Sequence, residues 1–549
     1  MIQAFIIKGS FQDSVSLMLV SRQLSKANDV RRVSVMMGTP ANKGVFKETG
    51  LWSEVFEQAG PNDICVAMET ESDDQQLVET MRQRLFEAID QLSQGRKKSG
   101  YAVVHTLERA MKKLPEASVA LVSVAGLYAG DVANALLESG KHVMLFSDNV
   151  PLETEKKLKQ FAQRRNLLVM GPDCGTSILH GVPLAFANRI PSGPVGIVGA
   201  SGTGIQEVTS QLAKRGIGIT HALGLGGRDL KEEVGGISAK EALRLLDNDA
   251  DSKVVVFISK PPAASVREQL DRLMHSMSKP VVALFLGTHP VKRQDGNVYY
   301  AYTLEEAAQL ATELANTLTL IENLPPASGQ VIGLFTGGTL ANETAMLLAE
   351  LYGLEESPEH VDGMMLQHRR AQVIDLGDDV YTRGRPHPMI DPSVRGEHIE
   401  RLPESCDLLL VDIVLGYGAV SDPAGALVES LNVVRAGRRN PLTVIATLTG
   451  TAEDPQNIEA QRKKMQEAGI IVVESTRQAV MAVQLLQRQT PPITVQTSTL
   501  LRQAPAIINV GLRAFADDLF ANGVSCIQVD WAPPCGGNEH LQRLLSLMK

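Results

Sequence analysis

Ser201, Gly202, Thr203 and Gly204 stand between an apolar run, Val195 to Val198, and a helical pattern carried by Ile205, Val208 and Leu212. Glycines let a backbone come close to a ligand, and Ser201 and Thr203 are residue types that cap helices. The first turn of a helix carries unbonded amides and the positive end of its dipole, a setting that suits an anion of phosphate size. By itself such a strand, glycine turn and helix can merely shape a bend. The device recurs, however, at 331–351, VIGLFTGGTLANETAMLLAEL, with Val331 to Phe335 as strand, Gly337-Gly338-Thr339 as turn, and Ala341, Ala345 and Leu348 as a helix face. Two such turns facing each other would hold a dianion without a metal ion or a lysine.

A second group of chemistry-bearing residues lies at 375–395, DLGDDVYTRGRPHPMIDPSVR, where Arg383, Arg385 and His387 crowd together with Asp378, Asp379 and Asp391. Ordering a loop pinned by three prolines costs conformational entropy, which points to a site. Arginines grip carboxylates through paired hydrogen bonds, and a histidine can donate to an oxyanion or shuttle a proton. Upstream, Arg228 follows Gly224-Leu225-Gly226-Gly227 at a strand end, where α/β sheets open their crevices.

The elements that must position these groups follow an α/β rhythm. Residues 1–95 read as a small split β-α-β sandwich, with strands at 2–7, 33–37 and 64–68. Residues 96–192 read as a partial Rossmann-like domain, whose first turn, VSVAGLYAG, has the wrong spacing for a dinucleotide fingerprint. Residues 193–318 and 331–486 read as two flavodoxin-like parallel-sheet domains, separated by a proline-marked linker ending in LPPASGQ. After QTPPITVQTS, residues 500–549 read as a tail that docks a partner or caps a domain.

With 549 residues, 44% hydrophobic content and 21% charge, the chain is ordinary globular material with room for several cores. A net charge of -9 argues against a nucleic-acid or anionic-membrane surface. Apolar runs fall far short of the roughly 18 residues that span a bilayer, so a cytoplasmic protein is expected. Five cysteines, without C-x-x-C spacing, indicate neither a zinc site nor a disulfide framework.

The stretches GPDCGTS, PSGPVGIVGASGTGIQE and SKPVVALFLG resemble the α subunit of succinyl-CoA synthetase, and GLFTGGTL with LLLVDIVLGYG resembles the ligase domain of its β subunit. Along its whole length, through IKGSFQDSVSLM, VSVMMGTPAN and LGDDVYTRGRPHPMIDP, the chain resembles the FdrA proteins. In the synthetase a phosphohistidine rests between two helix N-termini, and the resemblance implies that 201–207 and 337–343 match them, with Glu207 matching the carboxylate that orients the histidine. The histidine segment is missing, since PVKRQDGNVYYAYTLEEAA at 290–308 contains no His. The amino-terminal half of the CoA-binding unit is expected to be replaced by the sandwich, and no ATP-grasp domain follows.

What the FdrA resemblance implies is a subunit of an oxamate carbamoyltransferase in allantoin and purine breakdown, converting oxalurate and phosphate to oxamate and carbamoyl phosphate. It implies phosphate at Ser201–Gly204 and Gly337–Thr339, substrate carboxylate on Arg228, Arg383 and Arg385, and His387 at the oxyanion. Other carbamoyltransferase subunits are the expected partners, and no cofactor or metal is expected. The alternatives are an acyl-CoA ligase subunit of the synthetase α type and a non-catalytic scaffold subunit.

Overall fold

The computed structural model describes residues 1–533 apart from 11, 13, 27–29, 72–74, 95–99, 355–360 and 489–499. The N-terminal unit runs β1 (Ile2–Ile7), α1 (Ser14–Leu24), β2 (Val30–Met37), α2 (Pro40–Glu48), β3 (Ile64–Thr70) and α3 (Gln75–Gln94). Its antiparallel sheet has the order β1-β3-β2. Central β3 is apolar from Ile64 to Met68, where both its faces are covered. Ile64, Val66 and Met68 pack with Leu17, Met81 and Leu85 of the two long helices, whereas Cys65 and Ala67 pack with Phe46 and Phe56. The turn at Gly38–Asn42 is a helix cap, Thr39 accepting the Asn42 amide at 3.3 Å.

The chain continues through β4 (Ala102–Val104), α4 (Leu107–Lys113), β5 (Val119–Val122), α5 (Gly126–Glu138), β6 (His142–Leu145), α6 (Leu152–Arg164) and β7 (Val169–Met170). A hairpin, β8 (Thr176–Leu179) and β9 (Val182–Ala185), then leaves this sheet and joins the edge of the next one, pairing with it antiparallel. That next unit contains β10 (Ser192–Gly199), α7 (Gly202–Lys214), β11 (Ile219–Gly224), α8 (Ile237–Asn248), β12 (Val254–Ser259), α9 (Ala264–Ser276), β13 (Val281–Phe285), β14 (Gln294–Asp295), β15 (Val298–Ala301) and α10 (Leu304–Ile321). Its sheet order, β14-β15-β13-β12-β10-β11-β8-β9, holds a five-stranded parallel core.

The following unit repeats that core with β16 (Gln330–Phe335), α11 (Gly338–Tyr352), β17 (Met364–Gln367), β18 (Ala371–Asp375), α12 (Asp379–Thr382), α13 (Ser393–Glu400), β19 (Cys406–Val414), α14 (Pro423–Gly437), β20 (Thr443–Thr449), α15 (Ile458–Glu467), β21 (Ile471–Val473) and α16 (Thr476–Gln487). Its order is β17-β18-β16-β19-β20-β21. Numbered within their units, both parallel cores read 2-1-3-4-5, the flavodoxin-like winding, whose switch point lies between the first and third strands. α7 follows β10 and α11 follows β16, so each glycine turn opens at its sheet's switch point. The two units share a layer of helices in which α7 packs on α10, α10 on α16, and α16 on α11.

The last described elements, β22 (Ile507–Val510), α17 (Arg513–Ala521) and β23 (Cys526–Val529), correct the expectation of a C-terminal tail. They insert into the sheet of β4 to β7, giving the all-parallel order β4-β23-β22-β5-β6-β7. Taken with β22 as first strand, this is the 3-2-1-4-5-6 order of a complete Rossmann sheet, with its first two strands supplied from the far end of the chain. The domain read as partial at 96–192 is therefore whole, and the sandwich does not replace its missing half. Runs as short as IINV and CIQV show burial but not their neighbours, which is why the pairing could not be read from them. The linker beginning at Gln489 and the segment from Pro534 onward, Cys535 included, lie outside the described residues.

Candidate functional site

At the α7 turn, Ser201 adopts an extended backbone and its Oγ accepts the Gly204 amide at 3.2 Å. Gly204 is thus spoken for within the helix, whereas the Gly202 and Thr203 amides belong to the turn that has no intrahelical acceptor. A Cβ on Gly202 would lie 3.1 Å from the Thr176 hydroxyl, so β8 brings a second donor to the turn. Gly199 is required for packing: a Cβ there would lie 2.6 Å from Ile205. Ser259, ending β12 at the same sheet edge, is fully buried with a hydroxyl that has no partner. Cys174 in the adjoining loop is no nucleophile, since burial pushes its thiol up to about 11.

The α11 turn has the same backbone plan and the opposite chemistry. Asp412 of β19 accepts the Thr336 and Gly337 amides, both at 2.7 Å, and the Thr336 hydroxyl at 3.0 Å. Burial pushes its carboxyl up, and Arg395, 3.5 Å away and itself buried, pulls it back. Asp375, at the end of β18, accepts the Gly377 amide at 2.8 Å, and its second oxygen lies 2.6 Å from where a Cβ on Gly338 would stand. The expected phosphate cradle at Gly337, Gly338 and Thr339 is therefore corrected. The protein's own carboxylates hold the Gly337 amide and crowd Gly338, and they would repel an anion.

The loop 375–395 divides its charged residues. Asp378 caps α12 through the Val380 amide at 2.9 Å, and Asp391 accepts the Ser393 amide at 3.0 Å. His387 turns inward: Nδ1 accepts the Met389 amide at 3.2 Å, and Nε2 stands 2.8 Å from the position of a Cβ on Gly377, beside Asp375. Arg385 turns outward to a half-exposed pair with Glu397 at 3.0 Å, and Arg383 is exposed. Neither arginine forms a preset carboxylate clamp with His387.

Arg228 is corrected as well, because it is committed to structure. It pairs with buried Glu155 at 2.9 Å and donates to the Val150 carbonyl at 2.8 Å. Beside it, fully buried Asp229 binds Lys159 at 2.8 Å and the Ser238 and Ala239 amides of α8, fastening α6 to the flavodoxin-like unit. Glu207 is exposed on α7, where it accepts from Gln211 at 2.8 Å. Asp375, Asp412, Arg395 and Thr176 were missed. The two aspartates had a signal, a lone acid in each of the apolar strands QVID and LLLVDIV.

Where the resemblance puts the synthetase's histidine, residues 290–308 build β14 and β15 and tie the two halves together. Tyr299 donates to Gln484 of α16 at 2.6 Å, and Gln294 bonds the same side chain. His289 stacks on Tyr302 with ring centres 4.0 Å apart.

Among the described residues no helix is long and apolar enough to cross a membrane. A family described as CoA-ligase matches residues 334–486, a CoA binding domain matches 192–287, and a domain described as AllF, heavy metal-associated, matches 1–104. The residues of that last domain do not fit a metal ion. Its one cysteine, Cys65, is fully buried and pushed up to about 11 by burial, and among the described residues no three His, Cys, Asp or Glu side chains are grouped to hold one.

The chain is 30% identical over 208 residues to the α subunit of ADP-forming succinate–CoA ligase of Staphylococcus epidermidis, a match covering 36% of this chain and 66% of that protein. Among solved structures it is similar to the dinucleotide-forming acetyl-coenzyme A synthetase 1 of Ca. Korarchaeum cryptofilum in complex with phosphate and ADP. That likeness has a TM-score of 0.41 and 16% identity, covering 68% of this chain and 82% of that one. It is also 36% identical over 507 residues to the uncharacterized protein YahF of Escherichia coli K12, a match spanning 86% of this chain and 96% of that protein. With that likeness along almost the whole of YahF, and with its CoA-ligase, CoA-binding and AllF-type domains, the chain belongs to the FdrA-like family of proteins built on the succinyl-CoA synthetase plan.

Proposed function

We propose that this chain is a subunit of an oxamate carbamoyltransferase, moving a carbamoyl group between oxalurate and phosphate. The observation that carries the reading is the contrast within one shared plan. The α7 turn keeps amides and hydroxyls suited to phosphate, while the 290–308 segment is tied into the helix layer and contains no histidine to phosphorylate. The AllF-type domain supports a place in allantoin breakdown, as the FdrA resemblance implies. Phosphate would lie on the Gly202 and Thr203 amides with the Ser201 and Thr176 hydroxyls around it, and would attack the carbamoyl carbon directly. Direct transfer between bound partners needs no covalent enzyme intermediate, because positioning and charge stabilisation supply the rate. With Arg228 committed to Glu155 and Arg385 to Glu397, the cations for the oxamate carboxylate would come from Arg383 or from partner subunits.

The second reading is an acyl-CoA ligase subunit of the synthetase α type, and the domain matches speak for it more directly than for carbamoyl transfer. The complete Rossmann sheet also restores one of the parts that CoA ligation needs. Co-expression with candidate partner subunits separates the two. Carbamoyl phosphate formed from oxalurate and phosphate, with no label retained from γ-labelled ATP, is the expected result. An alkali-stable, acid-labile label on a histidine, or acyl-CoA formed from succinate and ATP, would transfer the assignment to the ligase. Loss of activity when this chain is omitted, but not when its loop arginines Arg383 and Arg385 are changed, would make it a scaffold.

A further inference from the structure

Phe186, the residue after β9, is 57% exposed although its backbone and its ring are both held in place. Its amide donates to the Gly175 carbonyl at 2.9 Å, and its own carbonyl accepts Gln206 Nε2 of α7 at 2.6 Å. Its ring stands nearly perpendicular to those of Phe146, which follows β6, and Phe515 of α17, with ring centres 5.2 and 6.1 Å away. A large apolar ring that is fixed and still open to solvent is a surface for a ligand to cover. That surface lies within a small molecule's reach of the α7 turn. Ala185, just before Phe186, pairs with Thr176, and a Cβ on Gly175, just before Thr176, would stand 3.7 Å from the Phe186 ring. The Thr176 hydroxyl in turn comes to 3.1 Å from the position of a Cβ on Gly202. Thr176 is only 2% exposed, and among the described residues its hydroxyl has no hydrogen-bond partner, so a buried donor is left open toward the turn. Gln206, one helical turn beyond Gly202, ties the Phe186 backbone to the same helix. An anion on the Gly202 and Thr203 amides would therefore have the Thr176 hydroxyl beside it and an aromatic ring next along.

We infer that Phe186 is the wall on which the flat ureido group of oxalurate, or the carbamoyl group of carbamoyl phosphate, lies while the phosphate occupies the α7 turn. The inference rests on the carbamoyltransferase reading and deepens it by naming the residue that holds the carbamoyl end. A conjugated N–CO–N group is planar. Laid on an aromatic face, it keeps its in-plane N–H and C=O groups free to bond the polar groups around the turn. A nucleophile attacks a carbonyl carbon perpendicular to its plane, so a ring against one face leaves the other for the phosphate oxygen, which is positioning of the kind that raises the rate of transfer. Phe515 comes from α17, so the wall takes its orientation in part from the C-terminal segment that completes the Rossmann sheet.

Isothermal titration of the full chain compares phosphonoacetamide, a phosphonate joined to a flat amide, with methylphosphonate, which has the anion alone. The wild type should bind phosphonoacetamide the more tightly. Phe186→Ala and Phe186→Leu should each weaken phosphonoacetamide by about tenfold, the worth of a lost stack, and leave methylphosphonate within about twofold. Leucine keeps the apolar volume without the flat ring, and Phe186→Tyr, which keeps the ring, should retain both affinities. Equal loss of the two ligands in the alanine and leucine variants would make Phe186 a mere support of the turn, and equal affinity in the wild type would leave the wall without a ligand; either result overturns the inference. Activity is the separate arm: in the co-expressed complex Phe186→Leu should raise the KM for oxalurate by about tenfold and leave that for phosphate unchanged. A complex that makes no carbamoyl phosphate, from a chain that still shows the ring-dependent preference, would uphold the wall and overturn the carbamoyl-transfer reading.

Discussion

Gly202 and Gly338 occupy the same position of the same motif, the first residue of the helix that follows a glycine turn, and their surroundings differ. Near Gly202 the closest group is the Thr176 hydroxyl, 3.1 Å from an added Cβ, whereas at Gly338 an added Cβ would meet the Asp375 carboxylate at 2.6 Å. Phosphate should therefore raise the unfolding temperature of the wild-type protein, because a ligand of the native state stabilises it by mass action, by about 2.7 kcal/mol at a hundred times its Kd. In Gly202→Asp the shift should vanish while the fold persists, since an acid in the first turn suits the helix dipole. Gly338→Ala should keep the shift but lose about 1–3 kcal/mol of basal stability through crowding. A phosphate shift that survives Gly202→Asp and disappears in Gly338→Ala would reverse the assignment of the two turns. The glycines were legible in the sequence, but the aspartates that fill one turn come from other strands, at 375 and 412, and no local pattern links them to Gly337.

The strands carry two buried histidines whose chemistry is structural. His142 opens β6 and His221 lies in β11, and burial lowers both to about 4. The His142 Nδ1 accepts the Leu168 amide at 3.0 Å, a bond available only to the unprotonated nitrogen. His221 faces Asp249 at 3.6 Å and the ring of His180, which act in opposite directions on its charge. A histidine lowered on folding leaves the unfolded chain binding more protons between its two values, so stability is full above about 6.5 and is lost as pH falls toward 4. At pH 5 each site should cost about 2 kcal/mol relative to pH 7. Urea unfolding of a Trp52→Phe protein, followed by Trp531, reports the Rossmann unit, and His142→Gln should flatten its dependence between pH 7 and 5. An unchanged slope would place the acid sensitivity elsewhere. At this scale the sequence was a good guide to what each element is: the flavodoxin-like strands, the helices after both glycine turns and the sandwich are where their periodicities put them. It was a poor guide to partners, as the hairpin β8–β9 shows by pairing with β11 rather than within the sheet it follows.

The completed Rossmann sheet makes the clearest demand on the whole molecule, because β22 lies in its middle and not at an edge. Ile507 to Val510 pair with β5 on one side and β23 on the other, and β23 in turn carries β4. Asn509 and Gln528, both buried, bond each other at 2.6 Å across those two strands. Without residues 500–549 the sheet would split, leaving β4 alone and the edge of β5 open, with Ala120, Val122 and Val143 losing the cover of Ile508, Val510 and Ile527. An open apolar edge of that kind pairs with other chains. A chain ending at Thr499 should therefore aggregate or lose hydrogen-exchange protection over 102–170, while the two flavodoxin-like cores keep theirs. Adding the 500–549 segment as a separate polypeptide should restore protection, since the strands meet through side chains and backbone and need no covalent link. A docking arm would behave otherwise: its removal would leave 102–170 protected and abolish only association with partner subunits. That outcome would return the C-terminal residues to the role their composition suggested, and with it the absence of a CoA-type sheet that first argued against the ligase reading.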